Sequence, residues 1–152
     1  YKHTFPQHCV ASEPGSERVG YLGELPIEYV EIEPMDISYL RKLVDKKQFH
    51  IVIRKNKFDV FSNPNTMKLL ELIQADTFIV FGVALDVCVH YTATGLLRVA
   101  EQSDSPKDII VLSDGVKGLG IKSDEQILKE LSRQGAKIMQ FDDLAGHLNV
   151  VA

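Results

Sequence analysis

The stretch Thr77-Phe78-Ile79-Val80-Phe81-Gly82-Val83-Ala84-Leu85-Asp86-Val87-Cys88-Val89 decides how the chain is read. Thr77 to Phe81 is a short apolar run rich in strand formers. Gly82 marks a turn, and a helical pattern follows from about Asp86 to Ala100, opening close to a cysteine. A strand feeding a helix through a Gly-containing turn is one half of a βαβ unit.

The same alternation continues on both sides. Asp108 to Leu112 forms another strand, and Ser123 with Gln126 reads as a capping box for a helix that turns Ile127, Leu128 and Leu131 inward. Ala136 to Phe141 supplies a last strand. Toward the N-terminus, Met67, Leu70 and Ile73 keep a helical face behind Asn63-Pro64, read as a cap with Pro in the first turn. His50 to Arg54 reads as a strand, and Ile37, Leu40, Leu43 and Val44 form a helical stripe. Residues 1–35 hold four of the six prolines and three of the ten glycines, so turns and one irregular or edge strand are expected there. Strands separated by helices require crossovers, so the expected fold is α/β with a largely parallel sheet covered by helices on both faces.

A chain of 152 residues suits one domain, read here as spanning 1–152. Seventeen basic residues against twenty-one acidic ones, without a basic block, give a charge of -4 and argue against a nucleic-acid partner. No apolar run approaches the roughly 20 residues that cross a bilayer, so no membrane partner is expected. The two cysteines, Cys9 and Cys88, fit a reducing compartment and a cytoplasmic location.

In a parallel sheet, ligands bind beyond the carboxyl ends of the strands. Lys55, Cys88 and Asp114 each follow such an end. A cysteine in a helix's first turn faces unpaired backbone N–H groups, which favour the thiolate and can hold an oxyanion. It can equally be a small buried packing residue. Lys55 can support a thiolate or steady a tetrahedral intermediate, or simply reach solvent. His8, beside Cys9, can be a metal ligand or a structural turn histidine.

Together these segments resemble a known family. Gly82-Val83-Ala84-Leu85-Asp86-Val87-Cys88-Val89, followed by Tyr91-Thr92-Ala93 and Gly95-Leu96-Leu97, resembles the nucleophile segment of the isochorismatase-like cysteine hydrolases, most like their nicotinamidase branch. Phe5-Pro6-Gln7-His8-Cys9-Val10 is similar to that branch's Phe/Trp-Pro-x-His-Cys-Val motif, with Gly15 and Glu17 matching part of what usually follows. Arg54-Lys55 with Phe58 and Phe61 resembles the lysine segment, and Ser113-Asp114-Gly115-Val116-Lys117-Gly118 the segment after the third strand.

The resemblance implies the isochorismatase-like hydrolase fold and a Cys-Asp-Lys triad with Cys88 as nucleophile and Lys55 as a second member. It implies a cis Val83–Ala84 peptide and an oxyanion hole at Ala84 and Cys88. It implies His8 as one ligand of a divalent metal, zinc above all, with iron and manganese as the other choices. The substrate would be a small-molecule amide, with nicotinamide converted to nicotinate and ammonia in NAD salvage, and the assembly a homo-oligomer. Phe58, Phe61 and Leu85 are the expected substrate pocket, although the two phenylalanines read equally well as core. Leu85 replaces the family's common Thr, which implies a changed pocket. The triad Asp and an Asp-x-His supplying the other metal ligands would precede the His8 motif. Asp36, Asp45, Asp59 and Asp86 do not match that Asp. The chain is therefore expected to lack the N-terminal part of the domain, including its first strand. Two alternatives stay open: an amidase of the same fold acting on N-carbamoyl or ureido compounds, and a non-catalytic small-molecule binding protein.

Overall fold

The computed structural model describes residues 6, 10, 12–16, 26–46 and 50–147. Among these residues five strands and five α-helices alternate: β1 (Ile27–Val30), α1 (Ile37–Asp45), β2 (His50–Ile53), α2 (Thr66–Ile73), β3 (Thr77–Val83), α3 (His90–Glu101), β4 (Asp108–Lys117), α4 (Asp124–Arg133), β5 (Lys137–Met139) and α5 (Phe141–His147). The pairings among them are parallel, in the α/β arrangement expected. Among the described residues the strands pair as two sets, β1 with β2 and β3 with β4 with β5.

The core follows from the period-two geometry of β4. Ile109, Ile110, Val111 and Leu112 are all buried, as a strand covered on both faces requires. Ile109 and Val111 meet Leu96 and Leu97 of α3 and Ile127 and Leu131 of α4. Ile110 and Leu112 meet Leu144 of α5 on the other face. A separate cluster of Val30, Leu40, Leu43 and Leu69 joins β1 to α1 and α2. Among the described residues, no helix is long and apolar enough to cross a membrane.

The edge strand expected within the first 35 residues is β1, which among the described residues pairs with β2 alone, in register with Tyr29 opposite Val52. Other sequence expectations are corrected. The inward face of α2 is not Met67, Leu70 and Ile73. Met67 and Ile73 are exposed, whereas Leu69 is buried with the β1 cluster and Leu70 packs on the β4 core. A short helix wedged between two apolar clusters buries two neighbouring directions, which one stripe does not describe.

The Asn63-Pro64 cap is also replaced. The helical N-cap is Asn65, whose side chain makes no cap bond, because both asparagines are recruited elsewhere. Asn63 donates to the carbonyls of Glu31 and Arg54 and accepts from Asn65 N–H. Asn65 donates to Glu31 and Glu33 and accepts from Met35 N–H. Ser123 is the N-cap of α4 without a side-chain bond, so the expected capping box is not made. Its neighbour Asp124 instead accepts from Gly118 N–H and from Lys117 Nζ. The last strand ends at Met139, and Phe141 opens α5, a helix the pattern did not announce.

Gly95 lets α3 approach the loop after β2. A Cβ there would lie 2.0 Å from Cε2 of Phe61, far inside contact distance. Gly95→Ala should therefore destabilise the protein by about 1–3 kcal/mol through overpacking. Urea unfolding monitored by circular dichroism would measure it, with the midpoint falling and the slope unchanged.

Candidate active site

Cys88 is delivered by the end of β3. Gly82 has φ +119°, a conformation that favours glycine, and the next peptide, Val83–Ala84, is cis. The chain then enters a π-helical turn, Leu85–Val89, before α3 begins at His90. The Ala84 carbonyl accepts from both Val87 N–H and Val89 N–H at 3.1 Å. Thr92 Oγ1 donates to the Cys88 carbonyl at 2.8 Å, closing the wide turn onto α3. Cys88 is a partly exposed free thiol within this turn. A single wide turn inside a helix is an irregularity that often accompanies functional positions.

Lys55 comes from two residues beyond β2. Its Nζ donates to the Lys57 carbonyl at 3.0 Å and approaches Cys88 Sγ at 3.7 Å. The residue before it is held on three sides. Arg54 N–H donates to Val30 O, Asn63 donates to Arg54 O, and the Arg54 guanidinium lies over the Tyr29 ring and 3.4 Å from Glu31. A cationic nitrogen is thus brought to a thiol from a different strand, a combination suited to nucleophilic attack on a carbonyl.

The expected pocket is brought together only in part. Phe58 is half-buried in the loop after Lys55. Leu85 is fully buried in the core, with no surface left for a ligand. Phe61 packs against the same core and over Gly95, so its ring serves packing between the loop and α3. Leu85 opens the wide turn and is turned into the cluster that holds Val80, Val89 and Ile109. His8 lies outside the described residues. Among the described residues, no three His, Cys, Asp or Glu side chains converge to hold a metal.

Asp114, expected past the end of a strand closing at Leu112, lies within β4, which runs on to Lys117, and its carboxylate accepts from Phe141 N–H at 3.1 Å at the start of α5. Two of the acids discounted from sequence are also committed to backbone N–H groups. Asp36 caps α1 through Ser38 N–H, and Asp59 accepts from Phe61 N–H.

Asp86 has a role the sequence reading missed. Buried two residues before Cys88, its carboxylate accepts from Leu119 N–H at 2.9 and 3.0 Å and from Ile121 N–H at 2.9 Å. Burial pushes its pKa up, but the N–H donors of Leu119, Ile121 and Gly120 outweigh that and hold it below the usual carboxylate value. The visible signal was an acid near a helix start together with a loop carrying Gly118 and Gly120. A groove of about 630 Å³, lined by Met67, Phe78, Val99 and Lys107 among others, lies by the opposite ends of β3 and β4 and shares no residue with this site.

A cysteine and a lysine thus meet beyond the carboxyl ends of β3 and β2 in an α/β protein. The model of the Isochorismatase domain matches residues 33–143, and the chain belongs to the isochorismatase family. It is similar to the isochorismatase family protein of Desulfovibrio vulgaris subsp. vulgaris str. Hildenborough, with 20% identity and a TM-score of 0.66 over 95% of this chain and 61% of that one. It is similar to an isochorismatase-like hydrolase from Alkaliphilus metalliredigens, with 28% identity and a TM-score of 0.55 over 68% and 52%. It is also similar to the pyrazinamidase of Pyrococcus horikoshii in complex with zinc, with 25% identity and a TM-score of 0.64 over 92% and 65%. The chain thus spans between 52% and 65% of the length of these solved relatives. No curated protein sequence matches it.

Proposed function

We propose that this protein is a cysteine amidohydrolase that converts nicotinamide to nicotinate and ammonia through a thioester on Cys88. The observation that carries the reading is the 3.7 Å approach of Lys55 Nζ to Cys88 Sγ at the wide turn. The similarity to a pyrazinamidase, at 25% identity, supports an amide on a small aromatic ring as the substrate class.

In this mechanism the Cys88 thiolate attacks the amide carbon, forming a C–S bond and an oxyanion. The backbone N–H groups of Ala84 and Cys88 hold that oxyanion, and the Lys55 ammonium steadies the negative charge as it moves. Collapse breaks the C–N bond, the departing nitrogen takes a proton, and ammonia leaves. Water then cleaves the thioester, releasing nicotinate and regenerating the thiol. Phe58 is the described residue assigned to the ring's surroundings. The reading also requires a carboxylate to accept the thiol proton; Asp59, Asp86 and Asp114 are each committed to backbone N–H groups. His8 is assigned to a divalent metal, zinc first; the described residues bring no ligand set together for it.

Ammonia release from nicotinamide by the purified full-length protein, with N-carbamoyl compounds in parallel, tests the substrate. Turnover of nicotinamide supports the reading, and turnover of N-carbamoyl compounds alone replaces it with the carbamoyl amidase. Lys55→Ala should lower kcat by about 10²- to 10³-fold, the loss typical of removing one group that stabilises the intermediate. An undiminished kcat would remove Lys55 from the mechanism.

A further inference from the structure

Between the nucleophile turn and α4 runs a continuous chain of polar contacts that the triad does not use. Asp86, inside the turn, takes the N–H groups of Leu119 and Ile121. The same loop begins at Gly118, whose N–H is bound by Asp124 at the first position of α4, while Lys117 binds the other oxygen of Asp124. Gly118 is wedged between the two carboxylates. A Cβ there would stand 2.5 Å from Asp124 Oδ1 and 3.1 Å from Asp86 Cγ. Both the turn and the loop are therefore fixed by one buried carboxylate that lies two residues from Cys88.

We propose that Asp86 is a positioning residue, which sets the direction of the Cys88 thiol by anchoring the Leu85–Val89 turn to the loop at Leu119 and Ile121. This rests on the reading of Cys88 as the nucleophile. Physically, the local bonds of the turn run along its own segment, from Val87 and Val89 N–H to Ala84 O, from His90 N–H to Leu85 O and from Thr92 Oγ1 to Cys88 O, and none of them ties it to the loop after β4. An external anchor supplies the constraint, and a displacement on the order of 1 Å at a reacting group costs about 10²-fold in rate. Oδ2 accepts from both Leu119 N–H and Ile121 N–H, so an asparagine oxygen there keeps those two bonds, but its NH₂ then stands in the place of Oδ1 against the Leu119 N–H, donor to donor, and the second acceptor and the negative charge are lost.

The test is the rate of Cys88 alkylation by iodoacetamide, read by mass spectrometry of the Cys88 peptide, alongside kcat and KM for nicotinamide. Asp86→Asn should slow alkylation about 10-fold and lower kcat about 10- to 100-fold with little change in KM. Ile127→Val, a truncation in the core of α4 that also costs stability, should leave both rates near those of the wild type. Gly118→Ala, which crowds the anchor while keeping the carboxylate, should slow alkylation in the same direction and serves if Asp86→Asn does not fold. Wild-type alkylation in a folded Asp86→Asn or Gly118→Ala protein, or equal slowing in Ile127→Val, would overturn the proposal. If the wild type releases no ammonia, the amide reading fails by itself, and the alkylation rates still decide the role of Asp86.

Discussion

Cys88→Ala should reduce ammonia release from nicotinamide by on the order of 10⁴-fold or more, the scale seen when a nucleophile is removed from a site that otherwise stays intact. The whole chemical path runs through one C–S bond, and an alanine methyl can neither form it nor accept charge. The loss should appear in kcat, because the side chain is small and the ring contacts assigned to Phe58 are untouched. Stability should change little, since Cys88 is only partly buried and its sulfur contacts an exposed lysine. Steady-state kinetics with matched circular dichroism spectra would separate the two. Activity within 10-fold of wild type in the folded variant would remove Cys88 as the nucleophile.

The second large effect concerns folding. Asn65→Ala should destabilise the protein by roughly 3–4 kcal/mol, because three hydrogen bonds of a fully buried amide vanish and leave a Met35 N–H and the carbonyls of Glu31 and Glu33 without that partner. For a chain of this size the corresponding fall in Tm is on the order of 10 °C. Asn65→Asp should be nearly as damaging, since it turns a carboxylate oxygen toward the two carbonyls the amide had served. Urea titrations give the difference directly. A loss below about 1 kcal/mol would show that water or neighbouring groups replace these bonds.

The alternation of strand and helix from Asp36 to Phe141 was legible because β4 and the helices around it obey simple periodicity. Ile109 to Leu112 is a strand buried on both faces, and Ile127 and Leu131 are the inner positions of α4. Cys88 and Lys55 were legible because each follows the end of a parallel strand, where side chains from separate strands converge. What stayed hidden depended on long-range polar contacts. Asn63 reads as a local cap, but its amide and that of Asn65 satisfy the loop after β1, some thirty residues earlier. Asp86 looked like an acid beside a nucleophile, whereas its partners lie beyond β4. For Leu85 and Phe61 the family resemblance implies a pocket, with core an equal reading for Phe61, and the wide turn and Gly95 give both to the core. Side-chain direction in an irregular turn cannot be read from spacing alone.

The most direct test is the intact mass of the full-length protein, acid-quenched within milliseconds of mixing with excess nicotinamide. A species heavier by one nicotinoyl group, mapped to the Cys88 peptide and absent from Cys88→Ala, is the result expected. Label-free Cys88 at every quench time together with turnover retained in folded Cys88→Ala would contradict a thioester on this cysteine.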